Sequence, residues 1–365
     1  KDVYSFDTNK FKIVKNSNGL EFGGNVIKPD IPILKDGKNI EEIEISGRYV
    51  NKKLNINSND KKIYFEVKEN EDLLLNVKEY DILYDTTRES KLKDKKLVLT
   101  GRDSSIIINH KYKLLSNKYN FTYKNSEIMF DSFYKKSHVN LKEDSSGQMV
   151  IKGSSLNDEL VNAFLDEKLI SGGTINVNAI GLNKNLNGKI SLKDNKIKNL
   201  TFLNNLILFL NTSPALLNPF FALPAAVDII RNKGISINGY DLENGNIEFN
   251  YDLNKSIFSA NKIYTQGSLI DFDGYAILDF EKDEIDSKMN VSFLKAYSSI
   301  VKQIPIIGYV FLGDDEKVTT EVDITGNIDD PKYTTNLIKE SSSVPLNILK
   351  RIINLPSKAI DSILD

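Results

Sequence analysis

The chain has 365 residues, with 48 Lys and Arg against 50 Asp and Glu, two His, no Cys and no Trp. The cancelling charges leave no strong field to draw in nucleic acid or another polyanion. The missing Cys excludes disulfides, thiolate metal sites and a cysteine nucleophile, and is compatible with an oxidising compartment. The length allows about one to three domains with a large apolar core.

The chain opens Lys1-Asp2-Val3, with neither an initiator Met nor the basic-then-apolar pattern of a secretory signal, and reads as a mature or excised fragment. Short alternating segments separated by Asn, Asp, Lys, Ser and Gly dominate the first 150 residues. In "KKIYFEVKE", Ile63, Phe65 and Val67 share one face, while Lys62, Tyr64, Glu66 and Lys68 take the other. Leu73, Leu75 and Val77 repeat the pattern, then Leu97 and Leu99, then Tyr119, Phe121 and Tyr123. One-sided strands with turn residues between them predict an antiparallel meander, not a βαβ fold.

"SSLNDELVNAFLDEKLISGG" predicts a first helix, capped by Ser155 or Asn157, with Leu156, Leu160, Val161, Phe164 and Leu165 in one stripe and Gly172-Gly173 shortly past its end. Strands resume at once. "TINVNAIG" places Ile175, Val177 and Ala179 on one face, and "GKISLKDNKI" reads as a strand running into a turn. The most apolar stretch, residues 202–230, is broken by Asn211, Pro214, Asn218, Pro219 and Pro224. It reads as a broken helix packed on a sheet or dipping into a lipid-like environment, because a membrane span needs about 20 apolar residues with closed backbone bonds.

Another strand series follows: Ile235 and Ile237, then Ile247, Phe249, Tyr251 and Leu253, then "GSLIDFDGYAILDF" and "DSKMNVSF". Phe293, Tyr297, Ile300, Val301 and Ile304 recur at helical spacing until Pro305. In "VTTEVDITGNIDDPKY", Val318, Thr320, Val322 and Ile324 alternate with Thr319, Glu321 and Asp323, before a turn at Asp329, Asp330 and Pro331. The C-terminal stretch predicts amphipathic helix, with Ser343 as cap, Pro345 in the first turn, Leu346, Leu349, Ile352 and Ile353 on one face, and a mildly cationic polar side from Lys350, Arg351 and Lys358.

Reactive constellations do not emerge from the pattern, and no catalytic residue, metal ligand or cofactor is assigned. His110 and His138 stand alone in Lys-rich strands or strand ends and read as surface residues. "GISING" at 234–239 has Asn238 where a hydrolase elbow needs Gly, and reads as a strand. "DFDG" at 271–274 would put Leu269 and Phe280 where a calcium loop needs carboxylates. Asp314-Asp315-Glu316 and Asp329-Asp330 read as solvated turns.

From Gly153 to Tyr333 the order of elements resembles the C-terminal region of the AsmA-like family, the AsmA, TamB and YhdP type of Gram-negative envelope protein. The residues that carry the resemblance are "GKISLKDNKIKNLTFLNNLILFLN", "GISINGYDLENGNIEFNYDL", "GSLIDFDGYAILDFEKDEIDSKMNVSF", "IPIIGYVFLG" and the closing "VDITGNIDDPKY", where Gly is followed a few residues later by Asp-Pro. The resemblance implies a mainly β fold: a long curved antiparallel sheet, a U-shaped β-groove as in bridge-like lipid transfer proteins, with a few short amphipathic helices including a C-terminal one. Residues 1–150 would be repeating groove strands, 151–333 the family's C-terminal groove region with helical insertions, and 334–365 the C-terminal helices. The implied function is non-enzymatic transfer or shielding of phospholipid between inner and outer membranes, in the periplasm, as part of a longer protein with an N-terminal inner-membrane helix absent here.

The partners implied are phospholipid acyl chains in the groove and a membrane surface at the C-terminal helix, with envelope protein partners unknown and no nucleic acid. The expected lining is Ile63, Phe65, Val67, Leu73, Leu75, Val77, Leu97 and Leu99, then Ile175, Val177, Ile247, Phe249, Tyr251 and Leu253, and finally Val322 and Ile324. Leu346, Leu349, Ile352 and Ile353 are the expected membrane contacts. Two other classes compete. A structural or adhesive envelope module would seal the same oily faces against each other, and a β-rich polysaccharide enzyme would show a polar cleft with carboxylates and aromatic platforms, which the absence of Trp disfavours.

Overall fold

Runs of alternating side chains become strands along most of the computed structural model, which describes residues 7–17, 19–85, 95–182, 184–198, 203, 205, 206, 239–268, 270–293 and 318–335. In chain order the first strands are β1 (Asp7–Asn16), β2 (Gly19–Ile27), β3 (Ile33–Lys35), β4 (Lys38–Asn39), β5 (Glu42–Val50), β6 (Lys53–Ser58), β7 (Ile63–Val67), β8 (Leu73–Lys78) and β9 (Asp81–Tyr84). Next are β10 (Leu97–Arg102), β11 (Ile106–Ile108), β12 (Tyr112–Leu114), β13 (Lys118–Lys124), β14 (Glu127–Tyr134), β15 (Ser137–Glu143) and β16 (Gln148–Leu156), followed by helix α1 (Asp158–Leu165). The remainder are β17 (Ile170–Ser171), β18 (Thr174–Leu182), β19 (Asn185–Ile197), β20 (Tyr240–Asp252), β21 (Ile257–Gly267), β22 (Ile270–Asp279), β23 (Glu284–Phe293), β24 (Val318–Asn327) and β25 (Pro331–Thr335). The expected class is borne out: the fold is mainly β and its strands pair almost entirely antiparallel.

The chain divides into two compact units, residues 1–168 with 176–183, and 169–175 with 184–365. In the first, a sheet runs β1, β2, β5, β6, β7, β8, β10, β13, β14, β15, β16, β18. A small sheet of β12, β11, β9, β3 and β4 is built from the segments that interrupt it. One feature departs from a pure meander, since β8 pairs with β10 and β9 with β11 in parallel. The small sheet explains it: β9 follows β8 and β11 follows β10 into the second layer, so the two long strands travel side by side.

The helix begins where the sequence allows. Asn157 caps it, its side chain accepting from the Leu160 N–H at 2.9 Å, and Asp158 and Glu159 place negative charge on the first turn. Its end comes before the two glycines, at Asp166, which takes the left-handed conformation itself. Leu160 is buried, whereas Phe164 stacks on Tyr112 of β12 with ring centroids 5.7 Å apart.

In the second unit β17 pairs with β19, and β19 to β25 follow as antiparallel neighbours in chain order. "GKISLKDNKI" does not turn as its Lys-Asp-Asn suggests. β19 continues to Ile197 with Asp194 in the left-handed region and no change of register, so that Lys196 and Ile197 stay paired with Asp241 and Tyr240. Gly172 and Gly173, both at φ +69, form the tight turn against that stretch of β19, where a side chain on Gly173 would collide with the Lys193 carbonyl. Of the expected helix over 293–304, Phe293 is the last residue of β23 and the rest lies outside the described residues, as do the helix over 343–353, the 234–238 strand and nearly all of 202–230.

A close approach helps hold register in the first unit: the Tyr119 ring lies across Gly101 on the neighbouring strand, in the space a Cβ would fill. Gly101→Ala should lower the stability of the unit by about 1–3 kcal/mol, the cost of overpacking, measured as a lower urea midpoint with an unchanged slope.

Candidate functional site

Opposite residues of paired strands point to the same face, so register alone sorts the first unit's side chains. Ile13 faces Phe22, Phe22 faces Gly47, Gly47 faces Ile56 and Ile56 faces Phe65. The series continues through Leu75, Leu99, Phe121, Phe130 and Leu141 to Ile151. This row crosses eleven strands, ten spacings of about 4.8 Å, and so runs for about 48 Å. Its one gap in side chain, Gly47, is covered by the Phe22 ring.

A parallel row lies one pleat further out, from Leu20 through Tyr49, Leu54, Val67, Leu73, Leu97 and Tyr123 to Ile128. A third lies on the other side: Ile63, Val77, Gly101, Tyr119, Ser132 and Val139. The rows differ in cover. Val67, Leu73, Leu97, Tyr123 and Ile128 are all half-buried, as are Phe65, Leu75, Phe121 and Phe130. Ile63, Val77 and Tyr119 are buried under the small sheet, in a cluster with Ile33, Ile40, Tyr80, Ile82 and Leu99.

The reverse face carries a polar row. Asn57, Tyr64, Asn76, Thr100, Asn120, Asp131, Asn140 and Lys152 stand opposite one another in sequence across it. Thr100 donates to the Asn76 side chain, and Asn140 to Asp131 at 3.3 Å. His138 belongs here, half-exposed, stacked on Phe133 and 2.6 Å from Asp131, while His110 sits in the turn between β11 and β12. Among the described residues no group of three or more His, Asp or Glu is placed to hold a metal. No helix among them is long and apolar enough to cross a membrane.

The second unit repeats the arrangement with more cover. Ile190, Ile247, Ile263, Gly274, Met289 and Val322 form one row, and Gly188, Phe249, Ala260, Ala276, Ser287 and Ile324 the next. Phe249 is buried, and Val291, Val322 and Ile324 are 0% exposed. Ile247 and Tyr251 are half-buried, and Leu253 lies past the end of β20, 40% exposed in the turn. In β18, Ile175 is buried and Val177 half-buried. On the reverse face Lys288 meets Glu321 at 3.1 Å and Asp323 at 3.4 Å, which raises its pKa. The sequence profile described as YhdP protein matches residues 68–333.

The chain belongs to the YhdP family. That family falls within the AsmA-like lipid transfer proteins of the envelope, so this is an AsmA-like envelope protein. No curated protein and no solved structure matches it.

The structure brings Phe65, Leu75 and Leu99 into one row and Val67, Leu73 and Leu97 into another; Leu346, Leu349, Ile352 and Ile353 lie outside the described residues. Phe22, Ile56, Phe130, Leu141 and Ile151, equal members of the long row, were not singled out by the sequence. Their signal was blurred by apolar residues on both faces: Met129 and Phe133 flank the Ile128 and Phe130 alternation, and Met149-Val150-Ile151 reads as a continuous run.

The fold of the small sheet over the third row is fixed by polar contacts at its base. Tyr80 donates to Asp60 Oδ2 at 2.9 Å, and Asp60 also accepts from the Ser58 hydroxyl and from the Lys62 N–H at 3.1 Å. Burial, with the Asp60 carboxylate second, pushes the Tyr80 phenol up to about 12. For Asp60, desolvation acts upward, but the donors from Ser58, Lys62 and Tyr80 together outweigh it and hold the pKa below the usual carboxylate value. A depressed folded-state pKa gives stability that is present above the unfolded value and lost as pH falls through the folded one. Asp60→Asn should therefore cost on the order of 0.5–1 kcal/mol at neutral pH, discounted for exposure, and flatten the loss of stability below about pH 4 in urea melts.

Proposed function

We propose that this chain shields the acyl chains of phospholipid, and lets them pass, between the inner and outer membranes of the envelope. The observation that carries the reading is the half-exposed apolar face of the first unit: a row of ten apolar side chains and one glycine across eleven strands, with a second row beside it. A one-sided sheet must hide such a face or have it filled. Each methylene laid on it contributes about 0.8 kcal/mol, which makes crossing an aqueous compartment far less unfavourable for a lipid tail. Head groups remain in water at the open seam, so no head-group site is required. The family supports lipid as the cargo and the envelope as the setting. The periplasmic location, an inner-membrane anchor beyond this sequence and contact of Leu346, Leu349, Ile352 and Ile353 with a membrane surface belong to the same proposal.

A second reading, a structural module with no cargo, draws on the second unit, where Val291, Val322 and Ile324 are wholly shut off from solvent. On that reading the oily faces exist to be sealed.

Lipid extraction and mass spectrometry on the purified chain separate the two. Phospholipid should co-purify with the native protein, and the double variant Phe65→Glu with Phe121→Glu should lose most of it while keeping its far-ultraviolet circular dichroism. A native chain free of both co-purifying and exchangeable lipid would count against transfer and for the sealed module.

A further inference from the structure

We propose that the small sheet is a side wall that withdraws the third apolar row from the trough, confining hydrocarbon to a strip at most two residues wide in each strand and one residue wide at β10, where Leu99 is covered. The strip is floored by Phe65, Leu75, Phe121 and Phe130 on one side and by the row of Val67, Leu73, Leu97 and Tyr123 on the other. The inference rests on the lipid reading above and adds to it the path that the lipid takes.

The wall is a continuation of the floor. β8 runs on into β9 and β10 into β11, each through a single bend at a residue in the left-handed region, Glu79 at φ 59 and Asp103 at φ 47. The two strands stay joined around the corner: Glu79 N–H donates to the Arg102 carbonyl at 3.0 Å, and Ile82 N–H to the Ser105 carbonyl at 2.9 Å. Side chains lock the same corner, with the Ser104 hydroxyl donating to the Tyr80 carbonyl and the Ser105 N–H donating to Asp81 at 2.8 Å. Ser104 and Tyr119 are each 1% exposed, so no room is left at the base of the wall.

Cover then falls off with distance from this corner. Ile63, Val77 and Tyr119 belong to the wall's own core. Of the long row, Leu99 belongs to that core as well, while Leu75, Phe121 and Phe130 abut it and keep an open side. Val67, Leu73, Leu97, Tyr123 and Ile128 lie outside it. A tail seated on Ile63 or Tyr119 would have to lift the wall and break the corner's hydrogen bonds, whereas the outermost row, and the long row on either side of Leu99, are open without any rearrangement. Ile63 and Val77, which alternate with Phe65 and Leu75 in the sequence as equals, thus hold the wall and do not touch cargo.

The chain has no Trp, so one introduced indole reports alone. Phe121→Trp and Tyr123→Trp place it on the strip, and Tyr119→Trp and Tyr80→Trp place it behind the wall, each in the full chain. Titration with phospholipid carrying brominated acyl chains should remove most of the emission at 121 and 123 and leave that at 119 and 80 unchanged. Equal quenching at 119 and 121 overturns the wall and leaves the lipid reading standing. Quenching at none of the four, with no lipid extracted from the native chain, overturns both. If Tyr119→Trp fails to fold by circular dichroism, Tyr80→Trp reads the same core.

Discussion

The constraint on which the structure depends is register. A strand has two faces, and a slip of one residue exchanges them. The row from Ile13 to Ile151 is therefore oily only because ten successive pairings agree, each set by the one before. The single irregularity, between Asn9 and Lys12, comes at the first strand, where it disturbs nothing further along. Two glycines help hold the count. Gly47 admits the Phe22 ring and Gly101 the Tyr119 ring, and in each case an aromatic from the next strand fits only in the one alignment.

From that agreement the two units take different courses. In the first, two rows stay open to solvent except at Leu99, and the third is covered by strands the sheet itself sends out. In the second, the corresponding face carries small residues, Gly274, Ala260, Ala276 and Ser287, beside Met289, Val322 and Ile324, and is largely buried. Half-exposure in the first unit is the feature that an apolar ligand can use. Full burial in the second is what a stable core uses, and on the transfer reading that unit contributes rigidity where the first contributes surface.

Much of this was legible in the sequence, and the limits follow from what alternation can carry. "VTTEVDITG" gave its two faces correctly, with Val322 and Ile324 wholly buried and Glu321 and Asp323 turned to Lys288 on the other side. The turn at Asp329 and Asp330 is held by Asn327, whose side chain accepts from both backbone N–H groups. Family resemblance was legible too, from the order of elements. Alternation could not show cover, because Ile63 and Phe65 look alike until a second layer is placed over one of them. That layer comes from pieces of two or three residues, such as β3, β4 and β11, too short to have a period. Nor could it show that β8 and β10 lie in parallel, since that depends on both strands continuing past the sheet.

Transport along such a face asks for one property more than oiliness. A passage must bind its cargo well enough to admit it and loosely enough at each step to let it go. Apart from Leu99, which the small sheet covers, successive members of the long row are nearly equivalent: Ile56, Phe65, Leu75, Phe121, Phe130, Leu141, Ile151. A tail displaced by one strand spacing, about 4.8 Å, exchanges one branched or aromatic contact for another of similar area, so the free energy of burial changes little from step to step. A charged or hydrogen-bonding residue in the row would interrupt this with a site to be either avoided or escaped. No charged residue stands in the long row itself; on the same face Ser132 lies under the small sheet, and Lys15 and Glu143 come only past the ends of the second row. On the transfer reading, the lack of a distinctive residue anywhere along the floor is itself the working feature, because a cargo that must move gains nothing from a place to stop.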